Sequence, residues 1–187
     1  VQQINPIIEE AISHIQAAYS RPEGLSGVPS GFLGLDKITS GWQPSDLVII
    51  AARPAMGKTA FVLSMAKNMA VDYQRPVAVF SLEMSNVQLV NRLIMNVCEI
   101  EGKKIKNGQL NEFEWKKLDK KIKELHDAPI YIDDTPSLSV FELRTKARRL
   151  KSEHNVSCII IDYLQLMNAS GMNFGSREQE VSMISRS

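Results

Sequence analysis

The sequence predicts an α/β fold, a mainly parallel sheet flanked by helices. Three observations carry this. Short apolar runs at Leu47–Ala51, Val77–Leu82, Ile130–Ile132 and Ser157–Ile161 alternate with longer amphipathic stretches. Those runs are continuously apolar, as expected of parallel strands covered on both faces. Most of them lead into a polar or charged residue at the carboxyl end, where open parallel sheets collect ligands.

The elements follow in order. Residues 1–19 read as a helix, with Asn5 as cap, Pro6 in the first position and Glu9 and Glu10 in the first turn. Ile4, Ile8, Ile12, Ile15 and Tyr19 make a stripe at steps of three and four. Ser20–Gly27 reads as a flexible linker. The helix therefore either docks on its own domain or reaches a neighbouring subunit. Val28–Ser45 is a turn-rich lead-in, and Leu47–Ala51 is the first strand. Lys58–Val71 is a helix with a broad apolar face, and Pro76 resets the chain into the second strand. Ser85 with Gln88 is a capping box that opens a helix to about Ile100. Glu101–Gln109 is a polar loop with three lysines. Asn111 with Glu114 caps a helix whose stripe is Phe113, Leu118, Ile122 and Leu125. The third strand is closed by Asp133 and Asp134, and Asp133 is read as a cap or turn residue. Ser139 with Glu142 caps a helix with Val140, Leu143, Ala147 and Leu150 inward. The fourth strand ends in Asp162. Ala169–Ser176 is a glycine- and serine-rich loop, and Arg177–Ser187 begins another helix.

Composition sets bounds. The chain has 187 residues, enough for one domain and an arm, and 44% are hydrophobic. No apolar run is long enough to span a bilayer, so no membrane partner is expected. Residues 1–10 lack the basic and apolar regions of a secretory signal. Cys98 and Cys158 are read as reduced structural thiols of a cytoplasmic protein. A net charge of +1 excludes a global basic field. A nucleic-acid partner must be met by a local patch, or by a ring of several copies. Arg53, Arg75, Arg92, Arg144, Arg148, Arg149 and Arg177 are too scattered in sequence for a patch to be named.

The chemistry centres on LVIIAARPAMGKT, Leu47–Thr59. A strand, a short turn and a helix start follow one another, the arrangement that holds phosphates. The motif G-x-x-x-x-G-K-[ST] is met at Gly57, Lys58 and Thr59, with Ala52 in place of the first glycine. Backbone N–H groups of Met56–Thr59 are expected to face the phosphates of a nucleoside triphosphate. Lys58 would neutralise the β- and γ-phosphates, and the Thr59 hydroxyl would ligate magnesium. Asp162 leaves an apolar strand, where a carboxylate is costly unless it serves a cation or a hydrogen-bond network. In P-loop enzymes such a carboxylate holds the magnesium. Glu83, at the end of the second strand, is placed to orient and deprotonate an attacking water. Gln165, three residues past Asp162, reads either as a γ-phosphate contact or as a plain polar loop residue.

Together VPSGFLGLDKITSGWQPSDLVIIAARPAMGKTAF, VFSLEMS and IIIDYLQLM resemble the bacterial replicative DNA helicases of the DnaB type, with their RecA-like motor domain. Ala52 favours this resemblance, since ARPxMGKT is typical of that family. The resemblance covers about Ile4 to Ser187. It implies an incomplete RecA-like P-loop ATPase domain over residues 28–187, with a linker helix and tether over 1–27.

The roles it implies fall on matching positions. The turn of Arg53, Pro54, Ala55, Met56, Gly57, Lys58, Thr59 and Ala60 would hold ATP, with Gln165 in the coupling motif. Glu83 would be the catalytic carboxylate, assisted by Lys58. Thr59 and Asp162 would hold Mg2+. The N-terminal helix would pack on the next subunit of a homohexamer. Residues after Asn168 would begin the first loop facing single-stranded DNA in the ring channel, with primase and a helicase loader as partners. The family's collar domain, second DNA-facing segment, γ-phosphate sensor and arginine finger have no counterpart in these residues. The chain alone is therefore not expected to unwind DNA, and is expected to bind nucleotide weakly. Two other readings stay open. One is another RecA-like ATPase, such as a recombination mediator or regulatory ring ATPase. The other is a nucleotide-binding module without turnover, for which replacing Glu83 would change nothing.

Overall fold

The computed structural model describes residues 4–19 and 25–167. The loop and helix expected after Asn168 lie outside the described residues. The chain divides into two compact units, Val1–Ile49 and Ile50–Ser187.

In the first unit, α1 spans Ile4–Tyr19. Asn5 thus lies inside the helix rather than capping it, and the first turn holds no acid. The stripe Ile4, Ile8, Ile12, Ile15 and Tyr19 is exposed. The lead-in is more ordered than its glycines and prolines suggest. It contains α2, Leu33–Thr39, and an antiparallel bridge between Val28 and Trp42. Asp36 is buried and ties the turn together. Its carboxylate accepts from Ser30 N–H (2.8 Å), Ser30 Oγ (2.7 Å) and Gly31 N–H (3.1 Å). Gly27 is required by space: a Cβ there would sit 2.5 Å from the Trp42 carbonyl oxygen. The run Leu47–Ala51 is not a strand, and Leu47 is 70% exposed. Continuous apolarity marks a segment that can be covered on both faces. It does not supply the hydrogen-bonding neighbour that makes a strand. Among the described residues this run enters no ladder.

The second unit is the α/β layer. Its elements are α3 (Lys58–Lys67), β1 (Val77–Ser81), α4 (Asn86–Cys98), α5 (Gly102–Asn107), α6 (Glu112–His126), β2 (Ile130–Asp133), α7 (Val140–His154) and β3 (Cys158–Asp162). A π turn, Asn68–Asp72, extends α3, and a 3₁₀ turn, Leu164–Leu166, follows β3. The sheet is parallel, in the order β2-β1-β3. As the central strand, β1 is buried at every residue. Ala78 and Phe80 join Leu138 and Val156 in one cluster, against which Leu143 and Leu150 of α7 pack. Val77 and Val79 take the opposite face, as the two-residue period of a strand requires.

All three expected capping boxes are present, at Ser85–Gln88, Asn111–Glu114 and Ser139–Glu142. Two local expectations fail. Lys103–Lys106 lie in α5 rather than in a loop. Gly108 ends α5 in the left-handed conformation, and Lys104 pins it to α6 through Glu114 at 2.6 Å. Phe113 points outward, 75% exposed, because only Leu118, Ile122 and Leu125 of its stripe turn inward. Both cysteines are free. Burial pushes the Cys158 thiol up to about 11, so it stays protonated.

Asp133 does more than end a strand. It accepts from Thr135 N–H at 2.9 Å and pairs with Lys146 Nζ at 2.6 Å. Burial raises its pKa, but the Lys146 and Thr135 bonds outweigh that and leave it lowered. A lowered folded-state value adds stability above the unfolded pKa of about 3.9. That stability disappears as pH falls through the folded value. Urea unfolding of wild type and Lys146→Met is expected to separate the two proteins at neutral pH. The gap should close in acid; a gap that persists below the carboxylate range rejects this role.

Candidate nucleotide site

The turn before α3 is exposed at Arg53, Pro54, Ala55, Met56 and Gly57. Met56 N–H donates to the Arg53 carbonyl at 3.3 Å and closes it. Gly57 sits at φ 86 as the N-cap of α3. A Cβ at Gly57 would meet open space, so the left-handed backbone is what calls for glycine. The first helical bond runs from Phe61 N–H to the Gly57 carbonyl at 2.9 Å. The amides of Lys58, Thr59 and Ala60 precede it and have no partner within the helix. These amides and the positive end of α3 are the donors that an anion would meet at this turn, the candidate cradle.

Asp162, the last residue of β3, is brought to this cradle across more than a hundred residues of sequence. It is 4% exposed. Thr59 Oγ1 donates to its Oδ2 at 2.6 Å. Lys58 Nζ stands 3.3 Å from its Oδ1 as an ion pair, outside hydrogen-bond geometry. That Oδ1 is consequently a buried oxygen accepting no hydrogen bond. Lys58 Nζ also sits over the Tyr163 ring, 4.1 Å from its centre. The sequence alone assigns Tyr163 no role. Its position directly after the strand-end acid is visible there, but its reach to Lys58 depends on the fold.

Glu83 lies two residues past the end of β1, and its side chain is exposed. The backbone is fixed on either side of it. Leu82 N–H donates to the Asp162 carbonyl at 2.8 Å, and Met84 N–H donates to Ser81 Oγ at 3.0 Å. Ser81 is itself in register with Asp162. Glu83 and Asp162 thus leave adjacent parallel strands at the same end of the sheet. Among the described residues no hydrogen bond or ion pair joins Glu83 to Lys58, Thr59 or Asp162. Gln165 is exposed on the 3₁₀ turn.

The donor set suits a hard cation. A buried carboxylate with a spare oxygen and an adjacent hydroxyl are oxygen ligands. Among the described residues no group of three or more His, Cys, Asp or Glu could hold a metal alone. A cation here would take its other ligands from phosphate and water, as magnesium commonly does.

With this geometry in view, comparison with known sequences decides the family. The sequence profile of the DnaB-like helicase C terminal domain matches residues 27–187. The chain belongs to this family. It is 46% identical over 186 residues to the replicative DNA helicase DnaB of Geobacillus stearothermophilus, covering all of this chain and 41% of that protein. It is 44% identical over 185 residues to the replicative DNA helicase DnaC of Bacillus subtilis strain 168, covering 99% and 41%. The chain thus spans about two-fifths of the length of these curated relatives. Among solved structures, one described as an ATPase domain aligns with a TM-score of 0.90 at 36% identity, over all of this chain and 65% of that one. A DnaB-like replicative helicase, described with its interactions with primase, aligns with a TM-score of 0.88 at 37% identity, over 98% and 45%. The fold of this DnaB-like domain is accordingly the RecA-like ATPase fold. No helix among its described residues is long and apolar enough to cross a membrane.

Proposed function

We propose that this chain is the ATP-binding and ATP-hydrolysing part of a ring-forming replicative DNA helicase. One observation carries the reading: Lys58 and Thr59, at the N-terminus of α3, converge on the buried Asp162. Residues 28–187 serve as the ATPase domain, and residues 1–27 as linker helix and tether.

In this reading the turn Arg53–Ala60 holds the phosphates, with the amides of Lys58, Thr59 and Ala60 as donors. Lys58 swings from Asp162 to the β- and γ-phosphates. Thr59 and Asp162 hold magnesium, which when bound neutralises phosphate charge as it builds up in transfer. Glu83 orients the attacking water and takes its proton. Gln165 senses the γ-phosphate and passes its loss to the segment after Asn168, which faces single-stranded DNA in the channel. The exposed isoleucine stripe of α1 packs on the next copy in a homohexamer. Primase and a loader are the protein partners, and the work is done in the cytoplasm at the nucleoid.

The test is hydrolysis by the full-length protein containing this chain. Single-stranded DNA is expected to raise its magnesium-dependent ATP hydrolysis several-fold. Hydrolysis indifferent to DNA rejects the helicase reading in favour of another RecA-like ATPase.

A further inference from the structure

Folding turns part of the scattered arginine set into a surface. On α7, Phe141, Arg144, Arg148 and Lys151 recur at steps of three and four, and so share one face. All four are exposed, Phe141 to 75%. The three cations cover about 10 Å of helix axis at ~1.5 Å per residue.

The carboxylates of α7 lie elsewhere. Glu142 is engaged with Ser139 as the capping box, and Glu153 pairs with Arg149 at 2.9 Å. Among the described residues Arg144 and Arg148 make no ion pair, while Asp133 takes Lys146 on another side of the helix. Lys151 donates to the Asn155 amide oxygen at 2.8 Å, which leaves its charge uncancelled. A solvated helix normally interleaves both signs. This face carries one sign, with an aromatic ring at its start.

We infer that the outer face of α7 binds the backbone of single-stranded nucleic acid, outside the nucleotide site. Arg144, Arg148 and Lys151 meet successive phosphates, and Phe141 offers a ring on which a base stacks. A row of cations that tracks the backbone, with an aromatic for the bases, is how single strands are held without sequence preference. An acidic protein segment would use the cations but has no need of the ring.

The test is fluorescence anisotropy of this chain with a labelled oligothymidine, without ATP, between about 50 and 200 mM salt. Binding to single strands falls with a log–log salt slope of about −0.7 per phosphate neutralised. Removing all three cations in R144A/R148A/K151A is expected to flatten the slope by about 2. F141A is expected to weaken binding roughly tenfold with the slope kept. The charge-preserving variant R144K/R148K should retain the wild-type slope, which separates lost contacts from lost folding. An unchanged slope in the triple variant, with its thermal midpoint intact, overturns the inference. Displacement of the DNA by polyglutamate, with F141A behaving as wild type, also overturns it, in favour of an acidic protein partner.

Discussion

Glu83→Gln in the full-length protein is expected to lower ATP hydrolysis by about 10²–10⁴-fold while leaving ATP binding intact. The amide keeps the shape of the side chain and removes its ability to accept a proton. Glu83 is exposed and joined to no charged partner among the described residues, so the substitution breaks no bond of the resting fold. Its backbone stays anchored through the Leu82 bond to Asp162 and the Met84 bond to Ser81. The decisive readouts are single-turnover hydrolysis and nucleotide affinity measured on the same sample. Unchanged hydrolysis would remove Glu83 from the chemistry, and no hydrolysis by either protein would restore the reading of a binding module without turnover.

Asp162→Asn is expected to cost on the order of 10²–10³-fold in hydrolysis, the scale of losing one preorganised electrostatic contact. The amide still accepts from Thr59, so the 2.6 Å bond has a successor. What disappears is the negative charge that faces Lys58 and would hold the cation. The magnesium concentration for half-maximal hydrolysis should rise, and high magnesium should recover part of the rate. A large rate loss with an unchanged magnesium requirement would place Asp162 in support of Lys58 only.

What is legible in the sequence is mostly local. The capping boxes at Ser85, Asn111 and Ser139 are contacts between residues three apart, and the chain writes them openly. The glycine turn before α3 and the partnered acid at Asp162 are also legible, because a buried carboxylate after an apolar run demands a partner. What escapes depends on side-chain geometry or on distant contacts. The Asp36 knot joins residues five and six apart through side-chain geometry that no periodicity reports. The α5 helix is joined to α6 by the ion pair of Lys104 with Glu114, a contact the spacing does not announce, although Gly108 is a stop signal open to reading. Apolarity alone misjudges Leu47–Ala51, since a strand needs a neighbour as well as a hydrophobic surface. The one-signed face of α7 is hidden for a related reason: arginine positions become a surface only when the helix that carries them has been placed.

The ion pair of Lys58 with Asp162 sets a condition on whatever enters the cradle. Each residue is the other's counter-charge. An incoming anion that captures Lys58 leaves the buried carboxylate with the Thr59 hydroxyl alone, and an incoming cation that captures Asp162 leaves Lys58 only the Tyr163 ring. Either exchange by itself leaves one group worse off than before. A ligand that arrives as an anion already complexed to a cation satisfies both at once. On the proposed reading the resting pair would act as a filter, one that disfavours free inorganic phosphate and free divalent ions and admits a polyphosphate carrying its own metal.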